Sequence, residues 1–317
     1  MIKDIPNSGE YKNMGIECLL QAYDNICNVD NTLSPETPRD KIWNYNQIVL
    51  RTSMVLIHQG IEGLLKSEIC KKSPLLLIDR KRSDWKTLPN SGDESFSDFN
   101  TIGGDDLLKT FYACVSLKDI HENFPIHYEE IRVKRNKIVH GLGTESLTPE
   151  YVLKLILNSF TYLLGKDSFW DSVLSKFYQH PGFDHDDSHV EWQDCNQYMR
   201  MEYLNAFLGK KELKKHFSVN ITAREYLCPF CIEKGEEITE EGIFRPDSKW
   251  AFLNPNEPNS TDMSCIICQT DFGVIREDCI KEDCKGNVKY LLEDEDLGDE
   301  EIWVCLTCWH EETKKYI

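Results

Sequence analysis

Ile131-Arg132-Val133-Lys134-Arg135-Asn136-Lys137-Ile138-Val139-His140-Gly141 is the stretch around which the N-terminal half of this 317-residue chain is organised. It sets an arginine, an asparagine and a histidine close together near the end of a segment with helical periodicity. Asn136 and His140 are four apart and share a helix face, whereas Arg135 and His140, five apart, sit about 140° from each other around an ideal helix. A basic helix end with a terminal histidine is common, because the helix dipole favours cations there. Its meaning therefore depends on its surroundings.

Working outward, the stretch lies on the fourth of five expected helices. Pro125 precedes that helix, which spans about 126–140, and Gly141 and Gly143 end it as residues free to take positive φ. Thr148-Pro149-Glu150 then supplies a capping hydroxyl, a first-turn proline and an early acid. Behind it Val152, Leu153, Ile156, Leu157, Phe160, Leu163 and Leu164 form the cleanest apolar stripe in the chain. Upstream, residues 10–28 read as an amphipathic helix, and a long second helix runs from about Lys41 until Pro74 stops it. Residues 73–104 lack periodicity and read as a functional or mobile loop. Arg80, Arg82 and Lys86 beside Trp85 make that loop either a solvated surface or a place for phosphate and a stacked base. Leu107, Leu108, Phe111, Tyr112 and Val115 mark the third helix.

This arrangement resembles the HEPN superfamily: a helical bundle over about residues 10–166, with His58-Gln-Gly-Ile-Glu62-Gly-Leu-Leu-Lys66 on the second helix and Arg135-Asn-Lys-Ile-Val-His140 on the penultimate one. The resemblance implies a metal-independent endoribonuclease that works as a homodimer, with both copies of the motif at one cleft. Carried over by position, Arg135, Asn136 and His140 are the catalytic residues, with Glu62 as a second-helix member. Attack by the neighbouring 2'-hydroxyl, leaving a 2',3'-cyclic phosphate, needs one proton taken and one given, and a histidine titrating near neutrality can do either. The guanidinium fork suits charge on phosphate oxygens. The family further implies a toxin or antiviral defence effector that cleaves transfer or messenger RNA, with a protein inhibitor or sensor as a further partner. The alternative is a catalytically inactive adaptor that dimerises and binds a protein or nucleic acid. His58 reads as a packed residue, and His121, His127 and His216 as surface ones.

Beyond the bundle (1–166), residues 167–216 read as a helical linker. His180-Pro-Gly-Phe-Asp-His-Asp-Asp-Ser-His189 reads there as a flexible break, with metal binding as the competing reading. Residues 217–317 hold eight of the thirteen cysteines, in four close pairs. Two residues between thiolates let a tight turn put both sulfurs on one cation, and two such turns complete a tetrahedral site. The economical grouping is Cys228, Cys231, Cys265 and Cys268 on one zinc and Cys279, Cys284, Cys305 and Cys308 on a second, with a cross-braced arrangement left open. All-sulfur sites leave no position for water, so both ions read as structural parts of a double zinc ribbon. Phe230, Trp250, Trp303 and Trp309 are expected to pack around them, and no repeat beyond the cysteine pairs is visible.

The fold class is thus mainly α, a HEPN-like bundle followed by a small cysteine-rich domain. The net charge of −18 is uneven: residues 217–317 hold 10 Lys+Arg against 23 Asp+Glu. That acidity disfavours phosphate contact by the ribbons and favours a protein partner, or shielding of a basic one. Without a leader-like segment or an apolar run of membrane length, a cytoplasmic protein with no membrane partner is expected.

Overall fold

The computed structural model describes residues 1–30, 38–79, 81, 85, 92–141, 146–179, 187–232, 249–292 and 300–315. These form two compact units, Met1–Val173 and Leu174–Ile317.

The first unit is built on one helix. In chain order it contains α1 (Ser8–Asp30), α2 (Arg39–Tyr45), α3 (Gln47–Lys72), α4 (Gly104–Cys114), α5 (Phe124–His140), α6 (Pro149–Leu164) and the start of α7 (Ser168–Tyr178). α3 packs against α1, α4, α5 and α6. Leu50, Met54, Ile57, Ile61, Leu65 and Ile69 on it have no solvent exposure. By length and apolarity α3 would pass for a membrane span, but these side chains are taken up by the neighbouring helices.

α1 and α3 approach closely because three glycines allow it. A Cβ on Gly15 would lie 2.8 Å from the Gly60 carbonyl oxygen, and one on Gly60 would lie 2.9 Å from the Gly15 oxygen. The long second helix expected from Lys41 is instead two helices meeting at Asn46 (φ −92°, ψ 27°). Side-chain competition for the backbone explains the break: Asn46 Nδ2 donates to the Ile42 oxygen and Gln47 Nε2 to the Trp43 oxygen, both at 2.9 Å. Gln47 also brackets Leu147, donating to its carbonyl and accepting from its N–H at 2.9 Å, which ties the start of α3 to the entry of α6.

One further expectation is corrected, that for Gly141, and another segment gains detail. The 73–104 segment is anchored at both ends. Ile78 bridges Thr101, β2 (Glu94–Ser95) pairs in parallel with β1 (Ile2–Lys3), and Leu77, Phe96, Phe99 and Ile102 are buried. Trp85 packs edge-on against Phe99, ring centroids 5.8 Å apart. Arg80, Arg82 and Lys86 lie outside the described residues, as do residues 142–145 and 180–186. Gly141 does not take positive φ, being extended at φ −96°, ψ 177°. Its small size serves packing, since a Cβ there would meet the Lys137 oxygen at 2.4 Å. Thr148 caps α6 as its sequence predicts, accepting from Tyr151 N at 3.3 Å.

The second unit holds the rest of α7, α8 (Asp187–Leu208), α9 (Lys210–Leu213) and two antiparallel three-stranded sheets. The sheets are β3 (Ala251–Leu253), β4 (Asp262–Cys265), β5 (Asp271–Gly273), and β6 (Lys289–Leu292), β7 (Glu300–Cys305), β8 (Glu311–Lys315). They repeat one plan that the sequence hides. Ala251 pairs with Cys265 and Lys289 with Cys305. Tyr226 bridges Ala251 as Ile275 bridges Lys289. The hairpins close alike, Cys265 N to Thr270 O and Cys305 N to His310 O at 3.0 Å. The residue after each second cysteine, Gln269 and Trp309, has φ of 54° and 58°. The segment read as a linker contributes to this core: Met201, Leu204 and Leu213 are buried. Trp250 Nε1 donates to Glu202 at 2.5 Å, while the Lys210 ammonium stands 4.3 Å over the Trp250 ring.

Candidate functional site

Several of the residues named on α3 and α5 lie along the contact between these two helices. Glu62 is 24% exposed, and His58, one turn earlier on the same face, has its Nδ1 4.0 Å from Glu62 Oε1. From α5, Tyr128 stacks on His58 with centroids 6.0 Å apart and an interplanar angle of 29°. Arg132 is held by Glu129, with Nε at 2.8 Å, and reaches Asp105 of α4 at 3.6 Å. Arg135 is half-buried, and its Nη1 donates to Asn136 Oδ1 at 3.0 Å, so the asparagine aims the guanidinium. Two buried nitrogens on these helices, His58 Nε2 and Arg135 Nε, have no hydrogen-bond partner among the described residues.

Burial first, then Arg135 and Arg132, push the His58 ring below its usual value against the opposing pull of Glu62. The same environment pushes the Tyr128 phenol up to about 12, through burial and then the Glu62 carboxylate. Both groups are therefore neutral at neutral pH. His140 is placed differently. It is the last residue of α5 and exposed, about 140° round the helix from Arg135. It shares an outward strip with Ile126 and Val133, each seven residues apart and 72% and 41% exposed. Within one chain Glu62 and Arg135 both act on His58, Asn136 holds Arg135, and His140 lies exposed at the end of the helix.

The expectation that His127 and His216 are surface residues is wrong. Both are buried, at 4% and 3% exposure. His127 faces inward on α5, where Nε2 lies 2.9 Å from Ser159 Oγ. Ser159 donates its own proton to the Leu155 oxygen at 2.7 Å, so it accepts from His127. Burial lowers the His127 pKa to about 4. The spacing of His127 from Phe124 and Ile131, both buried, was the signal for this. His121 stacks on Tyr162 at 4.1 Å.

The second unit brings its eight cysteines into two tetrads, Cys228/Cys231/Cys265/Cys268 and Cys279/Cys284/Cys305/Cys308, with sulfurs within 4.8 Å of one another in each. The grouping is the sequential one. In the first tetrad the pairs Cys228–Cys268 and Cys231–Cys265 stand 3.7 Å apart. In the second, Cys279–Cys308 and Cys284–Cys305 stand at 3.7 and 3.8 Å. A tetrahedron with metal–sulfur bonds of about 2.3 Å has edges of about 3.8 Å, and a disulfide would need about 2 Å. The donor set thus fits a tetrahedral metal ion in each tetrad.

The packing around the second tetrad was not legible in advance. Lys289, with no exposure, pairs with Glu312 at 2.6 Å and stands 3.7 Å from Glu277. Glu312 also accepts from Ile280 N at 3.3 Å, fixing the loop between Cys279 and Cys284. Of the four aromatics expected around the knuckles, Trp250 is buried, while Phe230 joins Phe272 and Tyr290 in a cluster with centroids 5.5 to 5.9 Å apart.

Comparison with protein-family models, with curated proteins and with solved structures gives no match to this chain.

Proposed function

We propose that this chain is a HEPN-type endoribonuclease that acts as a homodimer and carries a structural double zinc ribbon. The observation that carries the reading is the α3–α5 contact, where His58 lies in the field of both Glu62 and Arg135 and Asn136 aims the Arg135 guanidinium. Arg135 supplies planar donors for a phosphate. His140, exposed at the helix end, is free to give or take the proton that 2'-hydroxyl attack requires. The offset between Arg135 and His140 makes a second copy part of the account, and the exposed strip of Ile126, Val133 and His140 is the surface through which we bring the copies together. By family resemblance the substrate is transfer or messenger RNA and the role is that of a toxin or antiviral effector in the cytoplasm, governed by an inhibitor or sensor.

The tetrads are assigned zinc, which prefers four thiolates in this geometry. Each ion would be held by four sulfurs, and its contribution is to fold the ribbon. The chemistry at α3–α5 uses the chain's own side chains.

The competing reading is an inactive adaptor, and the exposure of His140 at the end of α5, turned from Arg135, favours it. Incubating the purified chain with RNA in EDTA separates the two. Fragments ending in 2',3'-cyclic phosphate, lost in Arg135→Ala and His140→Ala, support the enzyme. Intact RNA, or full activity in either variant, refutes it.

A further inference from the structure

Cleavage through the 2'-hydroxyl needs two proton transfers, and His140 supplies one of them, which leaves the group for the other unassigned. The α3–α5 contact offers one. Glu62 is its open acid: the side chain is 24% exposed, and Gly103 opposite has no side chain to cover it, a Cβ there standing 4.0 Å from Oε1. His58 stands behind that carboxylate and is 6% exposed. Its ring plane is fixed by the Tyr128 stack, and Tyr128 is tethered in turn by its hydroxyl, which donates to the Gly104 oxygen at 3.4 Å.

The tautomer follows from the surroundings. Nδ1 faces a carboxylate at 4.0 Å, whereas Nε2 is buried with no partner among the described residues, so Nδ1 is the nitrogen that keeps the proton. The groups facing the ring are Glu62 from its own helix and Tyr128, Arg132 and Arg135 from α5, with Asp105 of α4 paired to Arg132. This makes His58 a neutral donor aimed at the back of Glu62. The 4.0 Å separation is longer than a hydrogen bond, as such contacts often are before substrate is bound.

We propose that Glu62 is a proton acceptor of the RNA site and that His58 is its positioning residue, with Nδ1–H closing on the carboxylate when substrate enters. The inference rests on the nuclease reading. In the step, Glu62 takes the 2'-hydroxyl proton and the 2'-oxygen forms a bond to phosphorus. The bond from phosphorus to the 5'-oxygen breaks, and that oxygen takes a proton from the imidazolium of His140. The products are a 2',3'-cyclic phosphate and a 5'-hydroxyl.

The test uses the full-length chain and a fluorescently labelled, mixed-sequence RNA, with kcat and KM measured across pH. His58→Leu fills the space without a donor, and His58→Gln restores one. His58→Leu is expected to lower kcat about tenfold or more with KM within about twofold. It should also move the acidic limb of the kcat profile to higher pH, since a carboxylate that loses a donor keeps its proton longer. His58→Gln should recover part of both effects. Wild-type kcat and an unmoved limb in His58→Leu, with Arg135→Ala inactive, overturn this role while leaving the nuclease reading intact. Equal losses in both His58 variants with an unmoved limb reduce His58 to packing and also overturn it. No cleavage by the wild-type chain removes the nuclease reading and this inference together.

Discussion

Arg135 and His140 belong to one helix but face different sides of it: Arg135 is half-buried and bonded to Asn136 at 3.0 Å, and His140 is exposed at the last residue of α5. In the proposed homodimer the site draws them from two chains. Mixing the inactive variants Arg135→Ala and His140→Ala therefore restores cleavage, because a mixed dimer holds one intact pairing. With random reassortment about a quarter of wild-type activity returns. Activity that stays at the single-variant level would place both groups in one chain.

The α1–α3 crossing makes a prediction against helix propensity. Gly60→Ala should gain up to about 1 kcal/mol as a helix residue. Its methyl, however, would meet the Gly15 carbonyl at 2.9 Å and Leu19 Cγ at 2.8 Å. Backbone cannot move aside as a side chain can, so overpacking wins and the first unit loses about 1–3 kcal/mol. Urea unfolding followed by far-UV circular dichroism, which the helices of the first unit dominate, measures it, and a raised midpoint would contradict the packing.

His127 links stability to pH. Its folded pKa is about 4 against an ordinary 6.5. Between those values the unfolded chain binds the extra proton, so stability rises with pH and is lost on acidification from about 6.5 to about 4. The total for such a shift is about 3 kcal/mol. Replacing His127 by Gln should flatten the slope of unfolding free energy against pH in that window, and an unchanged slope would show that His127 protonates freely in the folded state.

Metal removal should act on one unit only. Two ions per chain are expected by metal analysis, and Cys231→Ser or Cys284→Ser should each drop the content to one. Chelation should abolish the thermal transition of the ribbons and leave that of the bundle in place. Breaking the Lys289–Glu312 pair strands a buried carboxylate, so Lys289→Ala should cost about 3–5 kcal/mol. A single transition unaffected by chelators would remove the structural role of the tetrads.

What could be read from the residues alone follows from which signals are local. The apolar stripe of α6, its Thr148 cap and the C-x2-C spacing are set by neighbours in sequence, and the structure places them accordingly. The α2–α3 break at Asn46 escaped because the apolar periodicity runs on across it, while the side-chain bonds of Asn46 and Gln47 to the preceding turn carry no periodic signal. The burial of His127 escaped because a histidine is read as polar until its Ser159 partner is seen. The ribbon repeat escaped because its first knuckles differ, C-x2-C in one and C-x4-C in the other, while the conserved features are backbone bonds and two left-handed residues. Along α3 and α5, Glu62, Arg135 and Asn136 were named through the family resemblance. His58 and Tyr128 needed the α3–α5 contact.

The account turns on whether this chain cuts RNA with the residues on α5. The direct measurement is the sequence and end chemistry of RNA fragments that accumulate when the chain is expressed, with His140→Ala expressed alongside. The account predicts discrete fragments ending in 2',3'-cyclic phosphate with the wild type and none with the variant. The same fragments in both, or intact RNA in both, would contradict it.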